Sequence, residues 1–250
     1  MRDREELNQA ANFIRDHRDL LNADKLQELY IRARMRDDVA EADVTYLLNK
    51  CGINPLTYLE KVPNAYLFFD EDIEVLNIPN HITSIGEQAF SNCPNLKSVT
   101  IPGSVATIEW GAFADDDSLT TVSIGEGVTK LEAYAFEDCP LLSSINLPDS
   151  IKTIEAYVFV NCESLKSVAL PNKLTKVDYR CFSKCINLEQ ISIPETVTLI
   201  SGFAFEFCEK LATIKYAGTK LQWIHVAKAE NWDYHTGEIK IICSDGELFK

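Results

Sequence analysis

The sequence has no long apolar run and comparatively little positive charge. Hydrophobic residues make up 46% of its 250 residues, yet no stretch approaches the ~20 apolar residues that a membrane-spanning helix needs. The 24 lysines and arginines are outnumbered by 38 aspartates and glutamates, so the formal net charge is −14. Phosphate backbones attract the opposite charge, and an anionic membrane surface would repel this chain. The composition therefore argues against direct nucleic-acid binding and against membrane association.

Motifs for export and for catalysis are also missing. The first residues, MRDREELNQAANF, are charged and lack the apolar core of a signal peptide, which predicts a cytoplasmic location and makes a secreted or surface location the less favoured alternative. We find no nucleophile–base motif, no glycine-rich phosphate loop and no HxxxH-type metal pair. His17, His81, His225 and His235 show no convincing metal spacing. We therefore expect a protein that is not an enzyme and has no cofactor or metal.

What the sequence does have is a phenylalanine at every twenty-third position. The six are Phe90, Phe113, Phe136, Phe159, Phe182 and Phe205. Each is followed at fixed distances by a Leu-x-x-Val-x-Ile-like pattern, whose end alternates as a short strand with one buried face does. One such unit cannot bury both of its apolar edges alone. The constant period therefore predicts a solenoid of stacked coils.

Five of the eight cysteines share one position, three residues after a phenylalanine. They are Cys93, Cys139, Cys162, Cys185 and Cys208. Stacked coils place them in a column with parallel Cα–Cβ vectors, whereas a disulfide needs converging vectors. We therefore predict a structural ladder of buried free thiols beside the six phenylalanines. Asp116 replaces the cysteine in one repeat, and we expect it to accept backbone N–H bonds unless its loop is displaced outward.

The repeats are similar to a known family. The stretch from Ile78 to Ile101, IPNHITSIGEQAFSNCPNLKSVTI, resembles the BspA-like leucine-rich repeats of bacterial surface proteins and of some protist and mobile-element proteins. The resemblance extends from about Ile73 to the C-terminus, where Trp223 and Trp232 follow in the order typical of the family's closing unit. It implies an α/β solenoid with short parallel strands. It says little about the partner, because this scaffold serves many functions.

Three regions follow from the phase of the repeat. We predict a helical N-terminal cap or domain over 1–65, a solenoid of about six full repeats over 66–216, and an aromatic C-terminal capping unit over 217–250. Leu7, Ala10, Ala11 and Ile14 recur at helical spacing in the first region. That region either covers the end of the solenoid or forms a small partner-binding domain, and Cys51 within it has no visible acid–base partner.

A candidate binding surface includes the position four residues before the phenylalanine, which is an acidic residue in four of the six repeats. The acids and the aromatic residues one or two positions after them are Glu109, Glu132, Glu155 and Asp178, and Trp110, Tyr134, Tyr157, Tyr179 and Phe203. Neighbouring like charges repel by up to about 1 kcal/mol per pair when exposed. Acids beside large aromatics suit a basic partner. Alternatively, the rings pack between coils and the acids only keep the surface hydrated.

These observations favour a non-catalytic protein–protein interaction module that binds a basic protein partner on the solenoid surface. One alternative is host-surface adhesion or glycan binding, which the family resemblance allows. Another is a phage-type inhibitor that occludes a host protein by charge mimicry. The oligomeric state does not follow from the sequence.

Overall fold

The computed structural model describes residues 64–65, 73–78, 80 and 82–250. The helices predicted within 1–65, together with Cys51, His17 and His81, lie outside the described residues. The described coils consist of strands and turns, with one short helix near the C-terminus. The predicted solenoid of stacked parallel strands is therefore confirmed, whereas the helical part of the predicted α/β class rests on residues that are not described.

One face of the solenoid is formed by the longer strands, one from each coil. They are β2 (Val75–Asn77), β4 (Ser98–Ile101), β6 (Thr121–Ile124), β8 (Ser144–Ile145), β10 (Ser167–Ala169), β12 (Gln190–Ile193), β14 (Thr213–Tyr216) and β16 (Lys240–Cys243). Val99 pairs with Val122 in parallel, and Ile191 pairs with Ile214, so the register advances by one repeat per coil. Alternate residues of β4 and β6 are buried, which matches the period of two in the sequence.

A second face consists of two-residue strands that precede each phenylalanine. They are β1 (Asn64–Ala65), β3 (Ser84–Ile85), β5 (Thr107–Ile108), β7 (Lys130–Leu131), β9 (Thr153–Ile154), β11 (Lys176–Val177), β13 (Leu199–Ile200) and β15 (Ala227–Lys228). These strands also pair in parallel, as Ile108 does with Leu131. From β3 to β13 the second residue of each strand is buried, so every coil is pinned to the core at this corner.

Both faces are divided near the middle of the solenoid. The long strands form the sheets β2-β4-β6-β8 and β10-β12-β14-β16-β17, and the short strands form β1-β3-β5-β7-β9 and β11-β13-β15. A side chain replaces part of the β6–β8 pairing next to this division. The Asn146 amide donates to Ile124 O and its Oδ1 accepts from Ile124 N, both at 2.7 Å. It thus occupies backbone groups of β6 that a longer β8 would pair with.

The third side of each coil is a run of turns around the phenylalanine, and it continues across that division. Phe136 N donates to Val158 O at 3.0 Å and Phe159 N donates to Cys181 O at 2.9 Å. The six rings are at most 2% exposed. Successive rings stack with centroids 5.3–5.8 Å apart and interplanar angles of 3–16°, the offset arrangement that aromatic quadrupoles favour.

The cysteine column lies beside this stack. All five of its members are buried and free. The thiol of Cys162 donates to Phe136 O at 3.2 Å, and that of Cys185 donates to Phe159 O at 3.1 Å. Cys139 and Cys208 repeat the contact with Phe113 O and Phe182 O. Each thiol therefore acts as a small buried hydrophobe that also satisfies a carbonyl of the preceding coil.

Asp116 occupies the cysteine position in its own coil. Its Oδ1 accepts a hydrogen bond from Cys93 N at 2.7 Å, which is the backbone contact expected from the sequence. Its Oδ2 is buried and has no hydrogen-bond partner. Burial raises the pKa of this carboxyl to about 9, with Asp115 and Asp117 adding repulsion. Asp116 is therefore protonated at neutral pH, so a neutral acid takes the place of a thiol.

The C-terminal unit extends the long-strand sheet by a different spacing. Thr213 of β14 pairs with Lys240 of β16, an offset of 27 residues (240 − 213), and β17 (Gly246–Phe249) then pairs antiparallel with β16. Helix α1 (Lys220–His225) begins with a capping box between Thr219 and Gln222. Trp232 packs edge-on against Phe205, with ring centroids 6.0 Å apart, so an indole covers the last ring of the phenylalanine stack.

Candidate functional site

The predicted acids directly follow the short strands β5, β7, β9 and β11. Glu109 N donates to Ile85 O at 2.9 Å and Glu132 N donates to Ile108 O at 2.9 Å, so each acid continues the ladder of hydrogen bonds between coils. Glu155 follows the same pattern with Leu131. The four acids are half-buried. The positions of Glu109, Glu132 and Glu155 are therefore fixed by the backbone, and the four acids form one column along an edge of the solenoid.

Lysines from the short strands neutralise most of this column. Lys130 Nζ lies 3.0 Å from Glu132 Oε1 and 2.8 Å from Glu155 Oε1. Lys176 Nζ lies 2.6 Å from Asp178 Oδ2. Among the described residues, no lysine or arginine nitrogen lies within 4 Å of the Glu109 carboxylate. The negative charge of the column is therefore least compensated at its Glu109 end.

The raised pKa of Glu109 is consistent with this shortage of nearby positive charge. Partial burial raises the pKa of its carboxyl, and Glu132 and Glu87 add repulsion. A nearby cation would relieve both penalties, because it favours the charged form of the carboxylate. Among the described residues, Glu109 thus lacks the lysine contact that Glu132 and Glu155 share.

The predicted aromatics form a second column beside the acids. Tyr134 and Tyr157 stack at 4.7 Å with an interplanar angle of 10°. Trp110 meets Tyr134 at 5.5 Å and 61°, while Tyr179 meets Phe203 at 6.0 Å and 80°. Trp110 is 39% exposed, and the others are half-buried. The rings do pack between coils, as one interpretation of the sequence holds, but they also keep one side towards solvent. We call the acids and aromatics together the acidic–aromatic stripe.

Part of the stripe is held in a costly backbone conformation. Tyr134, Tyr157 and Phe203 have φ of 63°, 65° and 57°, in the left-handed region that costs L-residues roughly 1–2 kcal/mol each. Hydrogen bonds between coils oppose this cost. Tyr157 N donates to Tyr179 O at 3.1 Å and Phe203 N donates to Asn231 O at 3.0 Å. The rings are thereby presented in a fixed orientation.

One basic residue belongs to the stripe and was not predicted. The Arg180 guanidinium carbon lies 5.6 Å from the Tyr179 ring centroid and 5.1 Å from that of Phe203. Its Nη2 lies 3.5 Å from Glu206 Oε1, and Ser183 Oγ donates to Glu206 Oε2 at 2.8 Å. Arg180 and Glu206 lie two residues before one phenylalanine and one residue after the next, so their contact is visible only when those two positions are compared across neighbouring repeats. Lys130 was not predicted either, because it reaches Glu155 of the next repeat.

A second acidic surface lies at the next corner of the coil. An open groove of about 760 Å³ is bordered by Asp115, Asp117, Asp138, Glu163 and Glu209, with Lys184 and Phe207 at one end. Burial and the neighbouring Asp138 and Asp117 raise the pKa of Asp115. This groove is therefore a second place where acidic side chains gather on the solenoid surface.

Two other features, a metal site and a membrane-spanning helix, were sought among the described residues. Within the described ranges, no group of three or more His, Cys, Asp or Glu side chains is arranged to hold a metal ion. The same residues contain no helix of the length and apolar character that a bilayer crossing requires.

Stacked coils of parallel strands with a constant repeat length define the class of solenoid repeat proteins. The family described as BspA type Leucine rich repeat region matches residues 60–155 and 129–227, with six copies. The chain belongs to this family, which confirms the resemblance seen in the sequence. Leucine-rich repeat proteins are commonly interaction or surface proteins and generally not enzymes.

Several solved structures of leucine-rich repeat proteins are similar to this chain, and the first of them shares its fold. A leucine-rich repeat protein from Eubacterium ventriosum is 22% identical with a TM-score of 0.60, over 70% of this chain and 47% of that chain. One from Bacteroides ovatus is 24% identical with a TM-score of 0.42, over 69% and 56%. The leucine-rich repeat protein of T. pallidum is 22% identical with a TM-score of 0.44, over 67% and 72%. The chain thus spans about half the length of the first of these. No match is found among curated proteins.

Proposed function

We propose that this protein is a non-catalytic binding module that captures a basic protein partner on the acidic–aromatic stripe. The observation that carries the proposal is the adjacency of the two columns. Fixed carboxylates and partly exposed rings lie side by side on one edge of the solenoid, where Trp110 is 39% exposed. Rings and carboxylates together suit cationic side chains, because the ring face is negative and the carboxylate is charged.

Charge also favours this partner at long range. The chain carries a formal net charge of −14, and the stripe and the acidic groove carry part of it. Such a field accelerates the encounter with a basic protein and slows the encounter with acidic ones. The cytoplasmic location stays a prediction.

The geometry favours a cation over a sugar. The carboxylates beside the rings can form charge-assisted hydrogen bonds with a cationic side chain, whereas a neutral sugar ring carries no charge to pair with them. The adhesion alternative therefore has less support from the stripe than the basic partner has. Binding of glycans to an array, unaffected by changes in the stripe, would favour that alternative. The charge-mimic alternative uses the same acids and differs only in the identity of the partner.

The test compares two triple charge reversals in capture from cells that contain the protein, followed by mass spectrometry. Glu109, Glu132 and Glu155 are changed to Lys in the first variant. Glu126, Glu195 and Glu238, which are exposed and lie off the stripe, are changed to Lys in the control, so that both variants have the same net charge. We expect a basic protein to be lost from the first variant and kept by the control. Equal capture by both variants would contradict the proposed surface.

A further inference from the structure

Two groups of side chains on the stripe are related by three repeats. Tyr179, Phe203 and Glu206 form one group, which we call the Tyr179 cage. Subtracting 69 residues, three times 23, gives Trp110, Tyr134 and Glu137, which we call the Trp110 cage. Both cages therefore combine two aromatic rings of successive coils with a carboxylate that directly follows a core phenylalanine.

The Tyr179 cage already holds a cation from its own chain. Arg180 lies over both of its rings, with its guanidinium carbon 5.6 Å and 5.1 Å from the centroids, and its Nη2 lies 3.5 Å from Glu206. The backbone of Arg180 is left-handed, with φ of 52°. This group shows that such a cage on this solenoid accepts a guanidinium.

The Trp110 cage has a similar edge-on pair of rings, but the described residues provide no cation to it. Trp110 and Tyr134 lie 5.5 Å apart at 61°, compared with 6.0 Å and 80° for Tyr179 and Phe203. The residue that corresponds to Arg180 (180 − 69) is Gly111, with φ of 58°. A Cβ added to Gly111 would meet only ordinary contacts, 3.4 Å from Gln88 Cγ and 3.9 Å from Ala114 Cβ. The backbone of Gly111 therefore has the same left-handed conformation as that of Arg180 but carries no side chain.

The carboxylate of the Trp110 cage is short of positive charge. Among the described residues, no lysine or arginine nitrogen lies within 4 Å of Glu137. Ala114 replaces Ser183, whose hydroxyl donates to Glu206 in the other cage. Burial raises the pKa of Glu137 to about 7, and Asp138 and Asp115 add repulsion. A cation placed here would relieve this repulsion, as Arg180 does beside Glu206.

We propose that the Trp110 cage binds an arginine side chain of the protein partner, in the position that the Arg180 guanidinium has in the Tyr179 cage. This inference rests on the proposed function, because Trp110 and Tyr134 belong to the stripe that is proposed to bind the partner. Trp is the ring that binds cations most strongly. A planar guanidinium can stack on the rings while its edge donates to Glu137, whereas a lysine ammonium can do only one of these well.

The probe is the peptide acetyl-Gly-Arg-Gly-amide, and the same peptide with citrulline is its uncharged isostere. Binding is followed by NMR through the indole N–H of Trp110, assigned by its loss in Trp110→Phe. Gly111→Arg should fill the cage from within and weaken binding at least about tenfold, since a desolvated cation–π contact and an ion pair are pre-empted. Gly111→Ala controls for backbone strain, and Ala106→Arg, an exposed position in the same coil, controls for added charge.

Glu137→Gln gives a second variant, which is isosteric and leaves Gly111 unchanged. It should also weaken binding about tenfold. We expect the wild type, Gly111→Ala and Ala106→Arg to bind the arginine peptide with similar affinity, and the citrulline peptide to bind none of them. The indole signals of Trp223 and Trp232, which are buried, report in each case that the variant is folded.

Two outcomes would overturn the inference. If the wild type binds the arginine peptide but Gly111→Arg binds it as tightly as Ala106→Arg does, or if the wild type does not bind it at all, the cage does not bind arginine. In either case the proposed function is judged separately by capture with the charge-reversed stripe, which does not depend on this peptide. A loss of capture there, with no effect of Gly111→Arg, would place the basic partner elsewhere on the stripe.

Discussion

Two aromatic columns run side by side along this solenoid, and they differ in burial and in regularity. The inner column, Phe90 to Phe205, is at most 2% exposed and stacks with interplanar angles of 3–16°. The outer column, from Trp110 to Phe203, reaches 39% exposure at Trp110 and varies from 10° to 80°. The inner rings all occupy one position of the repeat, whereas the outer rings are divided between two neighbouring positions.

The difference separates stability from recognition. A ring that is buried in every coil contributes burial and stacking energy each time and can hardly vary. An outer ring contributes less to the core, and in Tyr134 and Tyr157 it is kept in a left-handed conformation. Variation at the outer positions gives Arg180 in one coil and Gly111 in another. We infer that the inner column holds the coils together and that the outer column determines what they bind.

The largest expected effect compares one ring from each column in the same coil. Phe136→Ala should lower the free energy of unfolding by about 3–5 kcal/mol, because it removes a fully buried ring and leaves a cavity. Tyr134→Ala should cost only about 1–2 kcal/mol, mostly from lost ring contacts, but should abolish binding of the arginine peptide. Urea denaturation and the NMR titration measure the two quantities. Equal losses of stability would contradict the division between columns.

The inner region should also show a pH dependence that comes from Asp116. Its pKa is raised to about 9 from an ordinary value of 3.8, so the unfolded chain releases this proton at lower pH than the folded chain does. The contribution of Asp116 to the free energy of unfolding is therefore fully present below about pH 4. It falls by up to about 1.4 kcal/mol per pH unit as the pH rises towards 9. By pH 7 the loss amounts to about 4 kcal/mol.

Asp116→Asn should remove this dependence, and Asp117→Asn, an exposed neighbour, should keep it. Urea unfolding at pH 5, 7 and 9 compares the three proteins. We expect Asp116→Asn to gain on the wild type steadily as the pH increases. The same slope in both variants would mean that Asp116 is not a buried neutral acid.

The outer column should respond to pH through binding. The pKa of Glu137 is raised to about 7, and the proposed arginine needs its charged form. Raising the pH from 6 to 8 should therefore tighten binding of the arginine peptide about tenfold, as the charged fraction increases from about one tenth to about nine tenths. Glu137→Gln should bind weakly and independently of pH. A wild-type affinity that is constant over this range would contradict the role of Glu137.

The smallest expected effect concerns Lys130, which neutralises two acids of the stripe. Its side chain is 37% exposed, and exposed ion pairs contribute about 1 kcal/mol or less. Lys130→Ala should therefore change the unfolding free energy by less than 1 kcal/mol, while capture of the basic partner improves because Glu132 and Glu155 become available. Thermal unfolding and the capture assay measure the two effects. Weaker capture would show that these carboxylates do not contact the partner.

The sequence predicted the features that depend on one column at a time. The period of Phe90 to Phe205 fixes the register in which Val99 lies beside Val122, and it places Cys162 in the core. Contacts between side chains at different positions of neighbouring repeats could not be predicted from this period. Arg180 spans two coils to Glu206, and Lys130 contacts Glu155 of the next coil, so the predicted acids are less exposed to a partner than their spacing indicated. The amide of Asn146, which bonds to the backbone of Ile124, is likewise a side-chain contact that the backbone period does not reveal.

The most direct test of the central claim is an exchange of two residues that keeps composition and charge constant. Gly111→Arg combined with Arg180→Gly should close the Trp110 cage and open the Tyr179 cage. We expect the double variant to bind acetyl-Gly-Arg-Gly-amide with an affinity near that of the wild type, with the shifts moved from the Trp110 indole to the rings of Tyr179 and Phe203. A double variant that binds as weakly as Gly111→Arg alone would contradict the claim that these cages recognise arginine.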